Sequence, residues 1–467
     1  MRLLFASLLG LCLLSSTLSA QKETTETGMY FIGFSDKKDT PHTLEDPSTY
    51  LSEKALIRRA LHDSQVNEMD LPVSPAYVTA IAETGAKIWL TTKWMNGVVV
   101  AAAGPQVEDI RKLSFVEKTE LVAPVQYDRP SARPVIPNMD RPAPELESVP
   151  VRKNLYGYGW KNLDQMEGDS LHMWGFRGEG VLVAVFDGGF PYVNYKDFLG
   201  YPDASMVPAS YDVVEQDSTA YDSGTHGATV LSTMAAYHPF FFIGTAPDAR
   251  YILFKTENGK GEHRLEEINY VAALEIADSI GVDVVNSSLG YTTFGIKEMN
   301  YTKKDLDGKT SPASIAIDHA FERGMIIVTS AGNSGNDKWK YISTPADAKH
   351  AFSIGALNSD GSRAYFSSFG PTADGRIKPD VSALGVDVTA ITASGRGITK
   401  ANGTSLASPL VAGLIACLRQ AVPGATNQEL LDAIRQTANQ ADEPDNERGY
   451  GRPDFAAAYR LLMMSRK

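Results

Sequence analysis

Long apolar runs alternate with amphipathic segments over the last two thirds of the chain. The apolar runs lie at 180–189, 251–255, 282–290, 324–335 and 351–357. Segments with helical periodicity separate them, at 265–281 and 312–323 among others. Strands that are apolar throughout and alternate with helices are typical of a parallel sheet covered on both faces. The pattern from residue 155 onward therefore predicts an α/β domain around a mostly parallel sheet.

The segment from 26 to 125 has a different pattern, in which short helical and strand-like stretches follow each other closely. The predicted helices lie at 52–62, 74–83 and 106–113, and the predicted strands at 87–91, 97–102 and 116–122. This order predicts a small α+β domain in front of the α/β domain.

The first twenty residues have the three parts of a signal peptide. Arg2 supplies the positive start, 3–14 the apolar stretch and 15–20 the small polar residues of a cleavage region. The apolar stretch is shorter than the roughly 20 residues that a membrane-spanning helix needs. We therefore expect a protein that is secreted or periplasmic, and the sequence predicts no transmembrane segment.

Between the two predicted domains the composition changes sharply. Prolines occur at 130, 134, 137, 142, 144 and 150, with few large apolar residues between them. Such a segment is typical of an extended, accessible linker that a protease can cut. The predicted organisation is a signal peptide at 1–20, the small domain at 21–125, a linker at 126–154 and the α/β domain at 155–467.

Charge and cysteine content exclude several classes of partner and site. The formal net charge is −12, and no basic cluster is present to bind nucleic acid or an anionic membrane. Of the two cysteines, Cys12 lies in the signal peptide and Cys417 in an apolar helical segment. The mature protein is therefore expected to contain neither an internal disulfide nor a cysteine metal site.

Four polar residues stand where strands end or helices begin, namely Asp187, His226, Asn333 and Ser405. Singly, each is common in a turn or as a helix cap. Together they supply what acyl transfer requires: a serine hydroxyl, an imidazole to take its proton, a carboxylate to orient the imidazole, and donors for an oxyanion. The donors would be the backbone N–H of Ser405 and the side-chain amide of Asn333.

Five motifs in this order resemble those of the subtilisin-type serine proteases, the subtilases. They read VAVFDGG, HGATV, NSSLG, SAGN and GTSLASP, and the resemblance covers roughly 160 to 460. It implies a subtilisin-like three-layer α/β fold and a serine endopeptidase that acts on proteins or peptides. It also implies that Ser405 is the nucleophile, His226 the general base and then acid, Asp187 the orienting carboxylate and Asn333 an oxyanion donor.

The same resemblance implies a place for the substrate. Ser288, Leu289 and Gly290 would line the cleft and pair with the substrate main chain as an added strand. The motifs carry no obvious acidic residue in the cleft, which predicts an apolar or broad substrate preference. Three neighbours of the catalytic groups depart from the family pattern: Gly188 where Ser or Thr is usual, Ala228 in H-G-A-T, and Leu406 in place of Met.

The small N-terminal domain gains a role from this resemblance. The segment 51–78 is similar to propeptides of Bacteroidetes-type subtilases. A propeptide that assists folding and inhibits the enzyme until it is cleaved is therefore expected at 21–125. We expect self-cleavage between about 120 and 155, within or near the proline-rich linker.

Other functions would require different residues or a different order of residues. An α/β-hydrolase esterase would read G-x-S-x-G with its serine first in the triad, but here Ala407 holds the fifth position and the serine comes last. A catalytically inactive subtilase fold that only binds partners would be expected to lack a triad residue. The acids Asp203, Asp212, Asp217 and Asp222 would suit a glycosidase, a metallohydrolase or a structural Ca²⁺ site. The acyl-transfer chemistry itself is expected to need no cofactor, and no metal ligands are assigned.

Overall fold

A computed structural model describes residues 27–124, 153–195, 198–201, 204–259, 261–392, 395 and 397–466. The predicted signal peptide, nearly all of the predicted linker and Asp203 lie outside these residues. Among the described residues, no helix combines the length and the apolar character that crossing a bilayer requires.

Residues 27–124 form a small α+β domain, as the local pattern predicts. Its elements are β1 Gly28–Phe34, α1 Glu53–Leu61, α2 Pro75–Glu83, β2 Lys87–Thr92, β3 Gly97–Ala102, α3 Gly104–Arg111 and β4 Val116–Ala123. Within these residues the four strands pair antiparallel in the order β2-β3-β1-β4. The sequence pattern missed β1, because its short apolar run has no clear alternation.

Both faces of this small sheet are covered, which explains why every residue of β3 is buried. Val98 and Val100 pack with α2 and α3 in the core of the domain. Val99 and Ala101 point to the other face and join the core of the α/β domain. Alternate side chains of one strand thus bind the two domains together.

The α/β domain contains the remaining elements. Its strands are β5 Leu182–Asp187, β6 Ala209–Asp212, β7 Tyr237–His238, β8 Phe242–Ile243, β9 Arg250–Lys255, β10 Val284–Ser287, β11 Ile326–Ser330, β12 Phe352–Leu357, β13 Val381–Leu384, β14 Val388–Ile391 and β15 Ile398–Ala401. Its helices are α4 Lys153–Tyr156, α5 Trp160–Asp164, α6 Gly168–Met173, α7 Thr225–Ala235, α8 Arg264–Ile280, α9 Pro312–Glu322, α10 Thr404–Ala421, α11 Asn427–Gln436 and α12 Phe455–Met464.

In the part of the chain that the structure describes, seven strands form one sheet in the order β13-β12-β11-β10-β5-β9-β6. All neighbouring pairs run parallel. Val183 and Val185 of β5 pack toward α7 and α10, whereas Ala184 and Phe186 pack toward α8. The predicted fold, a three-layer α/β domain preceded by a small α+β domain, is confirmed. The strands β6 and β13 were not predicted, because each mixes apolar with small or polar residues within four positions.

The small domain packs on α8 through a buried cluster of charges, which we call the interface ion cluster. Its members are Arg58, Arg59, Asp70, Asp278 and Arg323, each at most 5% exposed. Asp278 of α8 pairs with Arg58 and, at 2.6 Å, with Arg59. Asp70 pairs with Arg59 at 2.9 Å and with Arg323 at 2.8 Å. Burial raises the pKa of Asp70, but the two arginines more than offset this and hold it at about 2.

A glutamate of α8 makes a second polar contact with the small domain. Glu275 accepts hydrogen bonds from the backbone N–H groups of Lys93 and Trp94, both at 2.9 Å, and from the hydroxyl of Thr92. These residues form the turn between β2 and β3. One carboxylate thus caps a turn whose donors would otherwise be buried without partners.

Candidate active site

Asp187 lies at the carboxyl end of β5, in the middle of the sheet. Ligands and reactive groups collect at this edge of open parallel sheets, because the connecting loops open outward there. The side chain is 2% exposed, and one carboxylate oxygen accepts the Gly188 N–H at 2.8 Å. The other carboxylate oxygen lies 2.8 Å from Nδ1 of His226.

His226 occupies the second position of α7, and its side chain is 47% exposed. A Cβ atom on Gly227 would lie 2.4 Å from the carbonyl oxygen of Gly189 and 2.9 Å from the Cβ of Asp187. Glycine at 227 therefore lets the start of α7 approach the end of β5. Burial lowers the pKa of His226, but the charge and hydrogen bond of Asp187 outweigh it, so the pKa lies above its ordinary value.

Ser405 occupies the second position of α10, and it is 7% exposed. Its Oγ lies 3.0 Å from Nε2 of His226. The structure thus brings Asp187, His226 and Ser405 into one chain of hydrogen bonds, although they come from three separate elements. Such a chain can move a proton from the serine hydroxyl to an imidazole that a carboxylate holds in place.

Asn333 lies in the turn after β11 and faces the start of α10. Its Oδ1 accepts the backbone N–H of Thr404 at 2.9 Å and the Thr404 hydroxyl at 3.0 Å. With the oxygen occupied in this way, the amide group Nδ2 is left to donate elsewhere. The sequence analysis missed Thr404, although it stands within the GTSLASP motif.

A small open space lies between the Asn333 amide and the Ser405 hydroxyl. A Cβ atom on Gly403 would fall into it, 2.8 Å from Oγ of Ser405 and 3.6 Å from Nδ2 of Asn333. Gly403 also has a φ of 149°, which favours glycine. The backbone nitrogen of Ser405 lies 3.6 Å from the same Cβ position. Glycine at 403 therefore keeps open a space that the Asn333 amide and the Ser405 N–H both border.

The segment Ser288, Leu289 and Gly290 follows β10 and runs beside the start of α10. Ser288 donates its hydroxyl to the Ser405 carbonyl at 2.9 Å. Leu289 is half-buried and Gly290 is exposed. A Cβ atom on Gly290 would lie 2.1 Å from Oγ of Ser343, so glycine lets the segment pass close to the chain after β11.

Two acids of the predicted loop cluster are paired with a buried lysine. Lys255, at the end of β9 and 4% exposed, lies 2.7 Å from Asp212 and 3.0 Å from Asp222. Asp217 instead accepts a hydrogen bond from the N–H of Thr219. The sequence analysis did not identify Lys255 as a partner, because it stands more than thirty positions away from either acid.

Three glutamates that the sequence analysis also missed lie close together, and one of them, Glu257, lies near Asp187. Glu257, Glu262 and Glu266 each place a carboxylate oxygen within 4.8 Å of the others, a spacing that could hold a cation. Burial raises the pKa of Glu257 and Glu266, and repulsion between the carboxylates raises both further. The hydroxyl of Tyr291 donates to Glu257 at 2.7 Å.

The three departures from the family pattern all lie beside the hydrogen-bonded chain. Gly188 still provides a backbone N–H to Asp187. Ala228 is fully buried in α7, and Leu406 is 3% exposed in α10. None of the three removes an atom from the contacts that join Asp187, His226 and Ser405.

Two regions of the sequence match known families. Residues 178–451 match the Subtilase family, and residues 29–135 match the Peptidase S8 propeptide domain of Bacteroidota. The first match covers more than half of the chain and contains all the candidate site residues named above.

Individual proteins and one solved structure are also similar to this chain. The chain is 27% identical over 363 residues to Subtilisin NAT of Bacillus subtilis subsp. natto, covering 77% of this chain and 79% of that protein. It is 30% identical over 280 residues to M-protease of Shouchella clausii, covering 59% and 63%. The crystal structure of MycP1 with the N-terminal propeptide removed is similar in fold, with a TM-score of 0.51 and 24% identity over 64% of this chain and 96% of that chain.

Proposed function

The chain belongs to the subtilase family of serine peptidases, and from this premise we propose that it is a secreted endopeptidase made as a self-processing zymogen. The observation that carries the proposal is the continuous contact from Asp187 through His226 to Ser405, at 2.8 and 3.0 Å. A serine hydroxyl is a weak nucleophile until a base within hydrogen-bond reach takes its proton. The contacts of His226 with Ser405 and Asp187 support the role of His226 as that base and of Asp187 as its orienting carboxylate.

In the proposed reaction, neutral His226 takes the proton of Ser405 while Oγ bonds to the carbonyl carbon of the scissile peptide. The negative charge that develops on the carbonyl oxygen is stabilised by the Ser405 N–H and the Asn333 amide. Asp187 stabilises the positive charge on the imidazole. When the C–N bond breaks, His226 gives its proton to the leaving amine, and an acyl ester remains on Ser405.

Hydrolysis of this ester repeats the sequence with water. His226 takes a proton from the water, whose oxygen bonds to the acyl carbon, and then returns the proton to Oγ of Ser405 as the ester breaks. The base must be neutral, so activity should rise with pH through the pKa of His226. We propose that the chemistry requires no cofactor, since the chain's own residues perform every proton transfer, and that any bound Ca²⁺ is structural.

Protein or peptide substrates would bind as an added strand along Ser288, Leu289 and Gly290. The contact between Ser288 and Ser405 supports this, because it ties the segment to the nucleophile. The N-terminal domain would act as an intramolecular inhibitor until the chain is cut between about 120 and 155. Its match to S8 propeptides and its large buried contact with α8 support that role. A signal peptide at 1–20 would direct the chain out of the cytoplasm.

Intact mass and casein hydrolysis for the wild-type chain and Ser405→Ala test the proposal. Wild type should lose its first ~120–155 residues and digest casein, whereas the variant should stay full length and inactive, with a loss of about 10⁶-fold as known for subtilisin. Ser353→Ala is a matched control, because Ser353 is buried in β12 away from the candidate site. It should behave like wild type.

Two results would contradict the proposal. If wild type neither matures nor digests casein, the chain is a subtilase fold that only binds partners. If Ser405→Ala digests casein as well as wild type does, another residue is the nucleophile.

A further inference from the structure

The helix that begins with Thr404 lacks one of its regular hydrogen bonds next to the nucleophile. In an α-helix, the carbonyl of Ser405 would accept the N–H of residue 409. That residue is Pro409, which has no N–H, so the bond cannot form. The carbonyl of the reactive residue therefore needs a donor from outside the helix.

Ser288 provides this donor. Its hydroxyl donates to the carbonyl of Ser405 at 2.9 Å, and Ser288 is only 9% exposed. The donor comes from the segment after β10, so the bond joins the nucleophile helix to the central sheet. A hydroxyl rotates freely unless a second contact fixes it.

The second contact comes from Asn286, the third residue of β10, which is fully buried. Its Nδ2 donates to Oγ of Ser288 at 3.1 Å, which leaves the Ser288 proton to point at the Ser405 carbonyl. Its Oδ1 accepts the hydroxyl of Ser408 at 2.8 Å. Asn286 is thus held by α10 on one side and directs Ser288 on the other.

These contacts fix the peptide plane on the C-terminal side of Ser405. The N–H of the same plane, from Leu406, is held by the Gly403 carbonyl at 3.1 Å. On the N-terminal side, Thr404 is held by Asn333. With the backbone fixed on both sides, the direction of the Cα–Cβ bond of Ser405 is set, and with it the position of Oγ.

We propose that Asn286 is a positioning residue, which acts through Ser288 to hold the Ser405 hydroxyl in reach of His226. Ser288 then has two tasks: its main chain lines the cleft, and its side chain replaces the hydrogen bond that Pro409 cannot make. This inference rests on the proposed peptidase function. It adds a residue that does not touch the substrate and to which the sequence analysis gave no role, although Asn286 is the first residue of the NSSLG motif.

The test compares Ser288→Ala and Asn286→Ala with wild type, each expressed as the full chain and matured with a trace of wild-type enzyme. Both variants should lower kcat on a peptide substrate up to about 100-fold, because a misplacement of about 1 Å at a reacting atom has that effect. KM should change less than twofold, since the cleft main chain is intact. The rate of reaction with a fluorophosphonate probe, which needs the serine activated by its base but no scissile peptide bond, should fall in parallel with kcat.

Two further variants separate positioning from general damage. Ser288→Thr keeps the hydroxyl and should restore most of the lost kcat. The double variant Asn286→Ala/Ser288→Ala should be no slower than Ser288→Ala alone, because both changes remove the same contact to Ser405.

Ser287→Ala is the matched control on the same strand. Ser287 is fully buried like Asn286, but successive residues of a strand point to opposite faces of the sheet, so Ser287 lies on the side of α8 and away from α10. Its kcat and probe reaction should equal those of wild type. If the melting curve shows that Asn286→Ala does not fold, the comparison of Ser288→Ala with Ser288→Thr is sufficient to test the inference.

The inference is overturned if Ser288→Ala keeps the wild-type kcat and probe reaction rate, or if Ser287→Ala loses as much as Ser288→Ala. It is also overturned if the loss appears in KM alone. A failure of the proposed function would look different: the wild-type protein itself would not react with the probe, and both conclusions would then fall.

Discussion

The candidate active site and the interface between the two domains both depend on polar side chains, but they expose them to water differently. At the active site, Asp187 is buried while the side chain of His226 is 47% exposed. At the interface, every member of the interface ion cluster is at most 5% exposed. The active site is open at one end to receive a substrate, whereas the interface is closed on all sides.

This difference in exposure predicts how the loss of a polar side chain will affect catalysis and stability in each region. In the active site the contacts form a single chain, so removing one link should stop the chemistry and leave the fold intact. In the interface ion cluster Asp278 and Asp70 each pair with two arginines and share Arg59, so removing either acid leaves one buried arginine without a carboxylate partner. Such a charge costs several kcal/mol of stability. The first region should fail in catalysis and the second in folding.

The largest expected effect at the interface is that of Asp278→Ala. Arg58 and Arg59 would lose a shared buried carboxylate, and we expect the free energy of unfolding to fall by about 3–5 kcal/mol. Urea unfolding of the full chain in the Ser405→Ala background, where no self-cleavage occurs, measures this. Asp432→Ala is the control, because its pair with Arg435 is 42% exposed on the acid side. It should cost at most about 1 kcal/mol. Equal losses in the two variants would remove the contrast between the regions.

Asn333→Ala tests the candidate active site, where the loss of a polar side chain should affect catalysis more than stability. Removing the amide should lower kcat about 10²–10³-fold, as loss of the corresponding oxyanion donor does in subtilisin. The free energy of unfolding should fall by only about 1 kcal/mol, because the buried Thr404 N–H at the start of α10 loses the oxygen that accepts it. Steady-state kinetics with a peptide substrate and a urea titration measure the two quantities. Ser334→Ala, one residue further on, should affect neither. A variant that is unstable but has normal kcat would reverse the expected pattern.

The smallest expected effect is the change with pH in the affinity between the N-terminal domain and the α/β domain. His62 at the end of α1 packs against Gly324, and its Nε2 is buried without a hydrogen-bond partner among the described residues. Burial lowers the pKa of His62, and the charges of Arg419 and Arg58 lower it further, against Asp283, to about 4. When undocked, the same group should titrate near its ordinary value of about 6.5.

The sign follows from the lower pKa in the docked state. The docked domain binds fewer protons, so docking is strongest above about pH 6.5 and weakens as the pH falls toward 4. From pH 7.5 to 5.5 the cleaved N-terminal domain should bind about tenfold more weakly. Analytical ultracentrifugation of processed protein, inactivated with a fluorophosphonate, measures this. His62→Phe should lack this tenfold change, while His42→Phe should keep it, since His42 contacts Thr49 and Tyr50 of its own domain. A pH effect that survives in His62→Phe would assign it to other groups.

The candidate active site and the domain interface also differ in how far the sequence alone predicts them. The motifs around Asp187, His226 and Ser405 are local, because each is a strand end or helix start with small neighbours, and the parallel sheet places such ends at one edge. The interface ion cluster has no local signal, since Arg59 and Asp278 are 219 positions apart. Lys255 was missed for the same reason. The glutamates at 257, 262 and 266 are close in sequence, but acids at such spacing are common on solvated surfaces, so their pattern did not indicate a cluster. Strands β6 and β13 were missed because four apolar or mixed residues do not show a period.

The burial of α10 has a consequence for the timing of events in the cell. From Thr404 to Arg419 this helix is buried, and it packs on β10, β11, β12 and β13 as well as on α7. Ser405 therefore cannot reach His226 until α7 and these four strands have packed around the helix. On the proposed function, cleavage of the chain by its own serine then acts as a checkpoint. A molecule that has not finished folding cannot release its N-terminal domain, so only correctly folded copies become active.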